Sequence, residues 1–407
     1  MKNICLNFRL HLGDHLSHYP FTLIGSHSPY FDKKKTLVLL KELVDKSIIP
    51  TNKLFTRLME KFKNEFKISF SISGPTLELM EAHMTNLIKR FETYALRGQA
   101  EFTAEPYYPS LAALQSKHEF MKQVNMYEDK IFHLFGKRPK TFRNTELIHA
   151  DFIGNMIYDL GYKYIMIESN ERTLKGRTAN KIYKSATNEK LRLLVRNRSL
   201  SEDITERFQS KSWSEWPLTA DKYLTWLEQL PASDQLVNIW MDLKTLGHKY
   251  PIESGIMDFF YHFITKAIHN GWKFILPSTS PESVAESLSI QNPISIKDHS
   301  ETTNIWLSND IQQEAFYSLY QLEQQVINCG VPEIIQTWRE LQSSDHFYFM
   351  NTQMLKNYQG MPYKSPFEAF INYMNILSDF KQLLKTVSKN KKKLAYIPEK
   401  KNLFKLL

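Results

Sequence analysis

Two carboxylates far apart in the chain each close an apolar stretch that reads as a β-strand. Glu146 ends Thr141-Phe142-Arg143-Asn144-Thr145-Glu146, entered from Pro139 and followed by a helical pattern. Asp242 ends the stretch Gln235 to Leu243. Acids at the C-terminal ends of barrel strands can do nucleophilic and acid/base work on an acetal. A lone acid there would equally suit the start of a helix, whose dipole favours it; the second acid is what points to chemistry. Strict alternation puts Phe142, Asn144 and Glu146 on one strand face and Arg143 and Thr145 on the other. It also sets Asn238, Trp240 and Asp242 together, so that Trp240 offers a ring beside the acid. If that strand runs on, Lys244 shares the face and its cation holds Asp242 ionised.

Further polar residues stand at element ends. His11 closes the first strand and is followed by Leu12-Gly13-Asp14-His15-Leu16-Ser17-His18. Histidines four apart converge on a metal only when they lie on a helix, and Gly13 after a strand opposes one. His11 is therefore read as a lumen-facing partner for a sugar hydroxyl, and no metal is assigned. Glu101, Thr103 and Glu105 share a face of the third strand. In Gln342 to Met350, polar residues including Asp345 and His346 sit among aromatics and suit a substrate-facing edge. No glycine-rich phosphate loop follows any strand, so no nucleotide or other cofactor is expected.

The elements that must position these groups alternate. In Lys2 to Leu12, Ile4, Leu6, Phe8 and Leu10 share one face, and Cys5, Asn7, Arg9 and His11 the other. In a barrel the apolar set meets the surrounding helices and the polar set points inward. Further strands are expected at Phe66–Ser73, Gln99–Pro106, 141–148, Tyr162–Glu168, Lys190–Arg198 and Gln235–Leu243. Helical patterns separate them, among them Pro75 to Leu96 and a clear stripe of Phe120, Val124, Tyr127, Ile131 and Leu134 capped by Gly136. Seven strands alternating with helices predict an α/β fold with a parallel barrel. After about Pro277 only long helices are expected, at Asn309–Ile327, Pro332–Leu341 and Pro366–Leu384. The expected division is a barrel over residues 1–300, a C-terminal α-helical domain over 301–387 and a basic tail over 388–407.

With 407 residues and 42% hydrophobic content, the chain can bury a large core. Its 26 Phe, 20 Tyr and 7 Trp include rings suited to stacking on sugars. The formal charge of +9 is concentrated in the tail, where seven Lys oppose one Glu, leaving a nearly neutral body and no nucleic-acid surface. No apolar run reaches membrane-span length, so no membrane partner is expected. Arg9 and His11 interrupt the N-terminal apolar run, and the two cysteines, Cys5 and Cys329, form no pattern. A cytoplasmic location with reduced thiols is expected. Oligomeric state has no sequence signal.

These pieces, in this order, resemble glycoside hydrolase family 57, the α-amylase and 4-α-glucanotransferase group. The resemblance runs from Ile4 to about Phe380. It is carried by Phe66–Gly74, Thr141–Ile148, Pro217–Lys222, Gln342–Met350 and Ala369–Phe380. It implies an incomplete seven-stranded (β/α) barrel followed by a helical domain, and an α-glucan or malto-oligosaccharide substrate. It further implies a retaining mechanism with Glu146 as nucleophile and Asp242 as general acid/base. His11, Glu105, Tyr107, Trp240, Asp345 and His346 would then line the substrate site. The chain departs from the family pattern at Leu12-Gly13, Pro109 and Lys244, positions that flank the reacting sugar. A member that binds carbohydrate without turning it over is the alternative these departures raise.

Overall fold

The computed structural model describes residues 2–234, 236–281, 286–296, 304–353 and 361–395. The last twelve residues of the basic tail, and Gln235 of the expected seventh strand, lie outside them. Ten strands are found among the described residues: β1 (Asn3–Leu10), β2 (Ile68–Ile72), β3 (Ala100–Phe102), β4 (Thr141–Arg143), β5 (Tyr164–Ile167), β6 (Ile182–Ser185), β7 (Arg192–Val195), β8 (Leu236–Asp242), β9 (Lys273–Phe274) and β10 (Ser287–Leu288). Seven of them close a parallel ring. β3, β2, β1 and β8 pair in that order, as do β4, β5 and β7. Single parallel bridges at Ala104–Phe142 and Arg196–Asn238 join the two arcs. These are the seven strands expected from alternation.

The faces of β1 divide as expected. Phe8 packs on Phe55 and Phe260, which lie on the helices Ile49–Phe62 and Ile256–His269, and on Phe70 of β2. On the inner side a polar ladder crosses the strands. Asn7 Nδ2 donates to Ser69 Oγ at 3.0 Å, and Ser71 Oγ lies 2.6 Å from Thr103 Oγ1. Burial of such groups is tolerable because each has a partner. Beside them Cys5, Leu147, Met166, Leu194, Leu236 and Trp240 form an apolar cluster. A buried ion pair, Arg196 Nη1 to Glu168 Oε2 at 2.9 Å, ties β5 to β7, and Arg196 Nε donates to the Trp240 carbonyl at 3.1 Å.

Several boundaries differ from the sequence expectation. The helix expected over Pro75–Leu96 is two, Gly74–His83 and Thr85–Leu96, separated at Met84, whose backbone (φ −136°, ψ 45°) leaves the helical region. Gly74 opens the first because a Cβ there would lie 2.5 Å from the Tyr107 ring. Asn309–Ile327 is likewise two helices, Asp310–Tyr320 and Glu323–Cys329. β6, β9 and β10 were not expected. β10 and residues 289–296 return to the barrel beyond Pro277, where only helices were foreseen.

The backbone forms two compact units. The first comprises Met1–Gly13 and Lys34–Asn304, the second Asp14–Lys33 and Ile305–Leu407. A single cut near residue 300 assigns the loop after β1 to the barrel, but its hydrogen bonds run to the helical unit. Buried Asp379 accepts from Gly25 N, His27 Nδ1 and the Tyr30 hydroxyl. Asn372 accepts from Tyr19 N at 2.7 Å and donates to the Ser17 carbonyl at 3.0 Å. Trp338, whose indole N–H donates to the Leu319 carbonyl, and Tyr373 are fully buried in this unit.

Candidate active site

Glu146 does not continue β4. The strand ends at Arg143, and Glu146 and Leu147 both take left-handed backbone, at φ 49° and 55°. Neither residue type favours that region, and consecutive positive φ values in non-glycine residues mark stored strain. The surroundings hold the turn. Asn144 Oδ1 accepts from Thr145 N at 2.9 Å, while its Nδ2 donates to the Ile148 carbonyl at 2.8 Å. Ile296 N donates to the Glu146 carbonyl at 2.9 Å, and His149 pairs with Ile294 in both directions. Period-2 alternation therefore fails beyond Arg143: the turn, not strand parity, aims the Glu146 carboxylate.

That carboxylate meets Arg9. Arg9 Nη1 lies 2.6 Å from Glu146 Oε1, with both side chains largely buried. Arg9 is also the register partner of Asp242 across β1 and β8. One inner residue of β1 thus stands beside both sequence-identified acids. Asp242 ends β8, and its Oδ1 accepts the Lys244 backbone N–H at 2.8 Å as the chain turns into a short helix, Leu243–Thr245. The strand does not run on to Lys244, so the expected same-face cation is replaced by a main-chain donor to Asp242.

Arg143 is the other inward group. Phe142 packs outward against Phe120 and Tyr162. Its neighbour Arg143 therefore points to the lumen, where it is 3% exposed. Burial pushes its guanidinium down to about 10, with repulsion from Arg9 adding and attraction from Glu105, Glu146 and Asp242 opposing. Glu105 is 5% exposed. Burial pushes its carboxyl up to about 7, against attraction from Arg143 and Arg9 and with repulsion from Glu146. A carboxyl poised there is half protonated near neutrality, the range in which acid/base groups serve best.

The remaining sequence candidates are placed as follows. His11 Nδ1 lies 2.8 Å from Ser73 Oγ at the end of β1. Tyr107 donates its hydroxyl to Glu78 and braces Gly74. Trp240 is 2% exposed and packs in the apolar cluster that also holds Leu147. Asp345 and His346 lie on the helix Ser344–Tyr348 in the second unit. There burial pushes the His346 imidazole down to about 4, opposed by Asp345. The first unit thus brings together Glu146, Asp242 and Glu105 with two arginines that motif reading did not single out. Arg9 had been placed on the lumen face by alternation, beside His11; Arg143 carried the same signal but was set on the face opposite Glu146. Among the described residues no group of three or more His, Cys, Asp or Glu could hold a metal ion. None of the described helices is long and apolar enough to cross a membrane.

A seven-stranded (β/α) barrel with carboxylates at its strand ends is an arrangement that suits a glycoside hydrolase. The chain belongs to glycosyl hydrolase family 57, whose family model matches residues 8–291. A protein of Methanocaldococcus jannaschii named "Putative alpha-amylase" is 31% identical over 374 residues, covering 88% of this chain and 79% of that protein. Among solved structures, a family 57 branching enzyme from Thermococcus kodakaraensis superposes with a TM-score of 0.69 at 12% identity. The match covers 98% of this chain and 92% of that one. The alpha-amylase AmyC from Thermotoga maritima gives a TM-score of 0.64 at 11% identity, covering 98% of both chains. At such identities these two structures share the fold.

Proposed function

We propose that this enzyme acts on α-1,4-glucan by a retaining double displacement. The observation that carries the reading is the strained turn that presents Glu146 to Arg9, with Asp242 in register beside the same arginine. Strain of this kind persists only where the surroundings impose it, and it clusters at functional sites. Glu146 is the nucleophile: its Oε attacks the anomeric carbon while Asp242 protonates the departing glycosidic oxygen. A glycosyl ester on Glu146 results, and Asp242, now anionic, deprotonates the incoming water or sugar hydroxyl that breaks it. Arg9 fits both half-reactions. As the ester forms, negative charge leaves Glu146 and appears on Asp242; the guanidinium contacts Glu146, and Arg9 is the register partner of Asp242 on the neighbouring strand. His11 and Glu105 supply hydrogen bonds to sugar hydroxyls.

The second reading is carbohydrate binding without turnover. The observation in its favour is the Arg9–Glu146 pair itself, which engages the nucleophile's oxygen in a charge-assisted contact. Incubation with maltoheptaose, with products separated by chromatography beside Glu146→Gln, decides between them. Shorter products that vanish in the variant mean hydrolysis, and a mixture of shorter and longer ones means transfer. Unchanged maltoheptaose with binding retained in calorimetry means the second reading.

A further inference from the structure

Hydrogen bonding in the lumen is incomplete at Arg143. Its Nε and Nη1 are buried and have no hydrogen-bond partner. The carboxylates whose fields reach it are otherwise engaged. Glu146 is paired with Arg9, and Asp242 accepts from Lys244 N. Glu105 is buried and holds its proton up to about neutral pH. A buried cation whose donors are unmet is costly, and burial alone shifts this guanidinium downward. Five fixed N–H donors and a weakly hydrated charge make arginine the group that recognises phosphate and carboxylate. A sugar hydroxyl would satisfy one donor, whereas a phosphate or carboxylate offers two oxygens to the guanidinium fork.

We propose that the glucan taken by this site carries an anionic substituent, a phosphate ester or a carboxylate, that docks on the unpaired nitrogens of Arg143 beside Glu146. This rests on the α-glucan reading above and narrows its substrate class. The geometry that supports it is the placement of Arg143 three residues before the nucleophile, on the lumen side of β4 and opposite the outward Phe142. The negative charges nearby do not exclude an anion, because Arg9 offsets Glu146 and Glu105 is available in its neutral form. The same neutral carboxyl can donate a hydrogen bond to the incoming oxygen.

The test is calorimetric titration of the full chain with three ligands: maltoheptaose, a malto-oligosaccharide of the same length bearing a 6-phosphate, and one oxidised at C6 to a carboxylate. Wild type, Arg143→Gln and Arg143→Lys are compared, with circular dichroism checking that each variant is folded. The expected result is binding of one anionic ligand roughly tenfold or more tighter than maltoheptaose in the wild type. That preference disappears in Arg143→Gln and survives in part in Arg143→Lys. Which anionic ligand wins identifies the substituent. Equal affinity for neutral and anionic ligands, or a preference that persists in Arg143→Gln, overturns the proposal and leaves the α-glucan reading standing. Failure of all three ligands to bind the wild type overturns both.

Discussion

Arg9 reaches across from β1 to place its Nη1 2.6 Å from Glu146 Oε1, while its backbone register partner is Asp242. A charge-assisted contact of this length fixes the carboxylate in position. Replacing Arg9 with Gln leaves Glu146 without its cation. The expected outcome is a fall in kcat/KM on maltoheptaose of about tenfold or more, read from initial rates. A rate unchanged or increased would mean that the pair restrains the nucleophile rather than readies it.

Asn144 acts through Glu146. It closes the turn from both sides, accepting from Thr145 N and donating to the Ile148 carbonyl. Asn144→Ala should cost about 1–2 kcal/mol of stability and lower kcat with little change in KM. Asn144→Asp keeps the acceptor but not the donor, and it should recover part of kcat. Steady-state kinetics and urea titration of both variants check this.

Glu105 gives a stability signature opposite to that of most acids. Its protonated form is favoured in the fold, so the unfolded chain releases this proton first as pH rises. Its contribution is greatest at low pH, declines between the ordinary carboxyl range and about 7, and is level above that. The whole effect is at most about 3 kcal/mol. Glu105→Gln should therefore be more stable than wild type at pH 8, with the difference shrinking toward pH 5. Denaturant titrations at the two pH values give the comparison.

His149 should do the reverse. It is 1% exposed, both ring nitrogens lack partners, and burial pushes the imidazole down to about 3. The unfolded chain takes up this proton first as pH falls, so stability is lost from the ordinary imidazole range down toward about 3. By about pH 4 the loss amounts to a few kcal/mol. A His149→Leu variant should remove this acid sensitivity, visible as a smaller drop in melting temperature between pH 7 and 4.5.

Much of the scaffold was legible from side-chain periodicity. The alternation of Ile4, Leu6, Phe8 and Leu10 against Cys5, Asn7, Arg9 and His11 is the pattern the barrel uses, and each of the seven ring strands falls within its expected stretch. What alternation cannot encode is where a strand stops. Arg143 ends β4, and the left-handed turn at Glu146 and Leu147 has no signal in residue types that disfavour it. It is imposed from far along the chain by Ile294 and Ile296. For the same reason the strand-parity argument separated Arg143 from Glu146. The loop after β1 was placed with the barrel because Asp379, its anchor, lies at the other end of the sequence.

The central claim is that Glu146 becomes covalently glycosylated, and trapping tests it most directly. The enzyme is incubated with 5-fluoro-α-glucosyl fluoride, an activated substrate whose glycosyl ester breaks down slowly. Digestion and mass spectrometry then locate the label. The account predicts one added fluoroglucosyl group on the peptide containing Glu146, and none on that peptide in Glu146→Gln. A label carried by a different carboxylate, or turnover of maltoheptaose with inversion at the anomeric carbon, would contradict it.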